Sequence, residues 1–244
     1  MRLDVTIRKK EEIETVADFL SASVVRSINV THTHDDDIDP LEVAVRLKGR
    51  IPDLDIMLHL ATKYFCAQSM DDCRMGFQKQ VKGAIRAGIQ KVLVVSGHPK
   101  IHFDSLEALQ FLQQEHLATN LEVYCAYNPY FDPARLRVEH ERLERKLTFP
   151  FLKGICLQIG MDTSKLKKGV DQVRALRPDI ALFGSVPVPS EATLNRLKLA
   201  TLYGVFLPNS YLLSVESAKE MTKDLLAAFK QYRIEPLVFA PHIT

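Results

Sequence analysis

The chain has 244 residues, 46% of them apolar and 25% charged, with a formal net charge of +2. This is ordinary globular composition, which excludes disordered and collagen-like classes. So small a net charge also excludes a strong electrostatic draw to nucleic acid or membrane surfaces.

In chain order, 3–7 predicts a first strand and 11–20 a helix with an apolar stripe at Ile13, Val16, Phe19 and Leu20. Residues 27–33 predict strand two, 39–47 a helix with Pro40 in its first turn, and 54–60 strand three. Residues 71–87 predict a long amphipathic helix ending at Gly88. Strand four is the apolar run 92–95, which turns polar at Ser96, Gly97 and His98 and breaks at Pro99. A helix over 104–117, capped by Asp104 or Ser105, leads to strand five over 121–127. The alternation continues with a charged helix over 133–147, a strand over 153–159, a helix over 163–176 capped by Asp162 or Thr163, and a strand over 179–186. A helix over 189–200, a short extended piece over 203–207, a helix over 215–232 and a strand over 236–240 complete the chain.

Eight strands separated mostly by single helices argue a parallel sheet, either doubly wound or closed. The count and length favour a single (β/α)8 barrel domain over 1–244, with its last helix missing or truncated. No G-x-G-x-x-G follows the first strand, against a dinucleotide-binding open sheet. No apolar run reaches the roughly 20 residues of a membrane span. The first ten residues hold too short an apolar core for a secretory signal, so a cytoplasmic location is expected. The cysteines Cys66, Cys73, Cys125 and Cys156 form no C-x-x-C pair, and Cys125 and Cys156 read as small buried hydrophobes.

In a barrel, ligands sit at the carboxyl ends of the strands. Alternation along each strand offers Asp4 and Thr6, Asn29 and Thr31, His59, Ser96 and His98, Cys125 and Tyr127, and Gln158 as the inward, polar set. Each alone reads as a satisfied structural residue; their shared location at strand ends points to a pocket. The run T-H-T-H-D-D-D at 31–37 offers His32, His34 and Asp35 as metal ligands, or equally a polar lead into the helix at Pro40.

Several of these motifs carry a resemblance. H-L-A at 59–61 and G-I-Q-K-V-L-V-V-S-G-H-P at 88–99 are similar to the third and fourth strands of the 5,10-methylenetetrahydrofolate reductase family. V-T-H-T, V-Y-C-A-Y-N-P, E-H-E-R-L-E-R-K-L, G-I-C-L-Q and F-G-S-V-P-V follow in the family's order, across nearly the whole chain. The resemblance implies an eight-stranded barrel that holds FAD and passes hydride from NADH or NADPH to methylenetetrahydrofolate. It implies flavin contacts at Thr31, His59, Ser96, Gly97, His98 and Tyr127, with Glu139 near the ribose and Arg145 and Lys146 near the phosphates. It implies Gln158 as the folate anchor, Asp4 as general acid and His98 as an electrostatic partner of flavin or substrate. On the residues alone, the helix bearing Arg145 and Lys146 reads first as a solvated face with i,i+4 pairs, and the resemblance brings the phosphate-binding reading level with it.

The chain departs from the family pattern at Asp4, one methylene shorter than the family's glutamate, and at His98, which replaces an aspartate. The family's F-F-P-P after strand one is absent. The expectation is a flavin-dependent oxidoreductase of one-carbon metabolism with folate and nicotinamide as substrates, with homo-oligomer formation left open. The alternatives are a folate- or corrinoid-linked methyl transferase, a metal-dependent hydrolase using His32, His34 and Asp35, and a non-catalytic folate- or flavin-binding barrel.

Overall fold

The computed structural model describes residues 1–32, 38–65, 69–97, 103–199 and 204–239. Its strands are β1 (Arg2–Val5), β2 (Ser27–Val30), β3 (Asp55–Ala61), β4 (Lys91–Val95), β5 (Glu122–Tyr127), β6 (Leu152–Leu157), β7 (Ala181–Pro187) and β8 (Ile234–Phe239). They close into an eight-stranded barrel in chain order, parallel throughout the pairings between described strands. The helices are α1 (Glu12–Ala22), α2 (Pro40–Arg50), α3 (Met70–Arg86), α4 (Ser105–Gln114), α5 (Pro133–Leu147), α6 (Thr163–Leu176), α7 (Glu191–Leu199), α8 (Asn209–Leu213) and α9 (Val215–Tyr232). The fold is the (β/α)8 barrel that the alternation predicts. The stretch after β8, where at most a truncated helix is expected, lies outside the described residues.

Local chemistry sets the helix starts. Asp39 accepts from the Leu41 N–H ahead of Pro40, Asp104 from Leu106 and Glu107, Asp132 from Arg135 ahead of Pro133, and Asp162 from Ser164 and Lys165. Each carboxylate satisfies N–H groups that a helix leaves unpaired at its first turn. The caps are therefore Asp104 and Asp162, with Ser105 and Thr163 inside their helices. The five-residue α8 lacks a visible signal because it spans little more than one turn. The extended piece expected near 203–207 is seen as a parallel bridge between Gly160 and Phe206.

The chain divides into two compact units. One comprises the described residues of Arg2–Cys125 and Phe149–Lys153; the other comprises Met1, Ala126–Thr148 and residues 154–239. In the first, Val92, Val94, Leu58 and Leu60 are buried and alternate with residues of the opposite face. In the second, Gly184 on β7 lies against the Phe229 ring of α9, which leaves no room for a side chain there.

Register decides which residues share a face, because partners paired across parallel strands point the same way. Asp4 pairs with Asn29, Asn29 with Met57, His59 with Leu93, and Leu93 with Tyr124. The inner face of the first unit therefore carries Arg2, Asp4, Asn29, Asp55, His59, Lys91 and Leu93.

Candidate functional site

The inner face of the first unit holds a buried polar chain. Arg2, with a side chain only 4% exposed, donates from Nη1 to Asp55 Oδ2 (2.6 Å) and from Nη2 to the carbonyls of Ile28 (2.9 Å) and Asp55 (3.1 Å). Lys91 Nζ also reaches Asp55 Oδ2, at 2.9 Å. Burial alone would raise the Asp55 carboxyl, but the bonds from Lys91 and Arg2 hold it below the usual carboxylate range. Arg2 Nε donates to Asn29 Oδ1 (3.0 Å), and Asn29 Nδ2 donates to Asp4 Oδ1 (2.7 Å). Asp4 Oδ2 has no hydrogen-bond partner among the described residues. Burial pushes the Asp4 carboxyl up to about 6, against the opposing pull of the Asn29 bond and the Arg2 charge. A buried carboxyl that titrates near neutrality can hold a proton and release it.

Nearer the strand ends, Thr6 and Thr31 share a hydrogen bond of 2.8 Å, and Thr31 Oγ1 also donates to the Val5 carbonyl. His59 Nε2 is buried with no partner among the described residues. Burial first, then the nearby His32 and Arg2, lowers the His59 imidazole to about 3, so the ring is neutral. His32 packs against the Tyr64 ring at 4.3 Å and accepts at Nδ1 from the Ala61 N–H (3.4 Å). Burial lowers it to about 4, with Asp39 opposing and Lys63 adding to the shift. Its two neutral-state roles, acceptor and packed ring, are structural uses of a residue that the sequence offered as a metal ligand.

Gly97 has φ +78°, and a Cβ there would lie within 2.5 Å of the Lys63 side chain. The left-handed backbone is what calls for glycine here, since the Lys63 side chain is flexible enough to move aside. Lys63 N and Thr62 Oγ1 bond to the Ser96 carbonyl, so the turn after β3 is fastened to the end of β4. Ser96 itself corrects the expected inward position. His59 pairs with Leu93, so the inward parity on β4 falls on odd positions, and Ser96 Oγ instead bonds Ser105 Oγ and N at the start of α4.

Tyr127 needs the same correction. Leu93 pairs with Tyr124, so Cys125 and Tyr127 lie on the face opposite to Tyr124. The Tyr127 hydroxyl bonds His140 Nε2 of α5 at 2.9 Å, and its ring lies beside Gly169 of α6. Burial raises its hydroxyl above the ordinary tyrosine value. Lys146, expected beside a phosphate, is buried and donates to the Ala126 carbonyl at 2.7 Å, with Glu139 Oε1 at 3.7 Å. Glu139 in turn accepts from the Asn128 N–H (3.3 Å). This pair ties α5 to β5, while Arg145 is exposed on the same helix. Gln158 shares the parity of Cys156, which pairs with Phe183 on the face opposite to Gly184. Its Oε1 accepts from the Ile159 N–H at 2.9 Å.

His98, His34 and Asp35, together with Cys66, lie outside the described residues. Among the described residues no cluster of three or more His, Cys, Asp or Glu could hold a metal ion, and no helix is long and apolar enough to cross a membrane. A cavity of about 120 Å³ lies at the other end of the strands, lined by Lys48, Asp55, Lys91 and Glu122 among others. It is at the amino-terminal face, where barrel residues serve stability rather than chemistry. The Arg2–Asn29 chain was missed from sequence. Its one visible signal is an arginine two residues ahead of an aspartate on a strand that should be apolar inside.

No protein-family model matches the sequence, and no curated protein matches it. Solved structures do. An uncharacterized protein from Clostridium thermocellum, which binds two copies of 5-methyl-5,6,7,8-tetrahydrofolic acid, has a TM-score of 0.71 at 13% identity, over 100% of this chain and 89% of that one. The xylanase XynB from Paenibacillus barcinonensis has a TM-score of 0.58 at 13% identity, over 97% and 82% of the two chains. A monomeric dihydrodipicolinate synthase variant has 0.51 at 15%, over 96% and 81%. At these identities the likeness is one of fold: the chain is a closed eight-stranded (β/α)8 barrel.

Proposed function

We propose that this barrel binds a reduced folate against the inner face of β1–β3, with Asp4 as the proton donor to the pterin end. The observation that carries the reading is the Asp4 carboxyl, raised to about 6 by burial, with one oxygen held by Asn29. Reactions at the one-carbon unit of a folate need such a group. A methylene-bridged folate opens only as one of its nitrogens gains a proton, and a methyl group leaves N5 only once that nitrogen is protonated. His59 Nε2, buried and without a partner among the described residues, supplies a second polar group. The ordered motifs from V-T-H-T to F-G-S-V-P-V and the methyltetrahydrofolate bound by the similar Clostridium thermocellum protein support the same ligand class.

The residues present do not fit FAD in the way the resemblance implies. Tyr127 is turned to α5 and α6, and Lys146 and Glu139 hold that helix to its strand. The proposal therefore carries folate binding and proton donation, and no hydride step from NADH or NADPH through a flavin. Within it, methyl or one-carbon transfer ranks beside reduction, since Asp4 would serve either.

Isothermal titration of the purified protein with 5-methyltetrahydrofolate tests the reading. Saturable binding is expected, weakened about tenfold or more in Asp4→Ala. No binding by wild type would overturn it. An absorbance scan from about 300 to 500 nm on the same sample reports a bound flavin, whose presence would restore the reductase reading.

A further inference from the structure

We infer that Arg2 and Asn29 are positioning residues which hold the Asp4 proton on Oδ2, the oxygen without a hydrogen-bond partner among the described residues. The inference deepens the folate-binding reading and rests on it for the identity of the proton acceptor. A guanidinium can only donate. Arg2 Nε therefore compels the Asn29 carbonyl oxygen to face it, at 3.0 Å. The same constraint turns the Asn29 amino group to Asp4 Oδ1, at 2.7 Å. An oxygen that accepts so short a bond from an N–H cannot also present its own proton along that line. The hydroxyl oxygen of a carboxylic acid is a much poorer acceptor than its carbonyl oxygen, so the oxygen that takes this short bond is the carbonyl one and the proton of the neutral carboxyl resides on Oδ2.

The chain is anchored at its far end, which is what makes it a positioning device. Arg2 cannot rotate without giving up its bonds to Asp55 and to the Ile28 carbonyl, and Asp55 is itself held by Lys91. Groups on four strands, β1 to β4, thus fix the orientation of one amide, and that amide fixes the face from which Asp4 donates. A lysine at position 2 would lack the planar fork that satisfies all these acceptors together. The charged and titratable groups on the inner face of the described strands of this unit are Arg2 on β1, Asp55 and His59 on β3, Lys91 on β4, and Glu122 and Tyr124 on β5; β2 contributes the neutral Asn29. Of these, Arg2 and Asn29 act on the Asp4 titration directly.

The test uses the ligand-free protein with 13C-labelled aspartate carboxyls, with the Asp4 resonance assigned by its loss in Asp4→Asn. In wild type the Asp4 resonance should titrate near 6. Asn29→Ala should move that midpoint upward by about one pH unit, because a hydrogen bond to the charged form is lost. Asn29→Asp keeps an acceptor for Arg2 but sets a second carboxyl against Asp4 Oδ1; two coupled steps should replace the single one. Isotope-edited infrared spectra of wild type below the midpoint need no variant to fold. They should show a protonated Asp4 whose C=O accepts a hydrogen bond. An unbonded C=O stretch, or an Asp4 midpoint unmoved in Asn29→Ala, would overturn the inference. Because no folate is present, these readouts stand or fall independently of whether wild type binds 5-methyltetrahydrofolate.

Discussion

Asp4 illustrates how much one buried group can set. In the unfolded chain its carboxyl has the ordinary value of 3.8, and in the folded chain about 6. Between those values the folded protein keeps a proton that the unfolded one has released, so stability falls as pH rises through this window and stays reduced above it. The difference is worth about 3 kcal/mol. Asp4→Asn, which keeps the bond from Asn29 and removes the charge, should be more stable than wild type at pH 8 by about 2–3 kcal/mol. Urea unfolding at pH 8 and pH 4 checks this: the gap should close at the lower pH. His59 and His32 act with the opposite sign, since their lowered values cost stability as pH falls below 6.5. Both are common to wild type and variant, so the comparison isolates Asp4. The same substitution removes the proton donor, the usual exchange of stability for chemistry at a site.

At the scale of elements, α5 shows a charged helix whose charges divide into two jobs. Arg137 and Glu141 form an exposed i,i+4 pair at 3.2 Å, worth a few tenths of a kcal/mol at most. Lys146, one turn further on and on the other side, is buried and holds the Ala126 carbonyl and Glu139. Removing one member of a buried, bonded pair leaves the other without compensation. Lys146→Ala should therefore lower stability by about 3 kcal/mol in urea titrations, while Arg145→Ala, an exposed neighbour, should change it by less than about 0.5 kcal/mol. A phosphate-binding role would show the reverse pattern, with ligand affinity lost and stability kept.

For the molecule as a whole, the barrel is shared with the xylanase XynB and a dihydrodipicolinate synthase variant at 13–15% identity, and such a fold hosts many chemistries. Ligand class must come from the site. At about 100 times its Kd, 5-methyltetrahydrofolate should stabilise the protein by about 2.7 kcal/mol, a Tm rise of about 5–10 °C for a chain of this size. Xylotetraose, a short xylan fragment, should leave Tm unmoved. A shift with the sugar and none with the folate would remove the proposal.

The βα alternation, the caps narrowed to Asp104 or Ser105 and to Asp162 or Thr163, and the turn at Gly97 were legible in the sequence because they rest on local rules: period, hydrogen bonding to the next few residues, and backbone sterics. Asp4 and Asn29 could be placed on one face by alternation alone. Interstrand register was not legible. It turned Ser96 to α4 and Tyr127 to α5 and α6, because a shift of one residue along a strand moves every side chain to the other face. The Arg2–Asn29–Asp4 chain and the burial that tunes its carboxyl come from strands more than twenty residues apart, and only their pairing in the barrel brings those groups together.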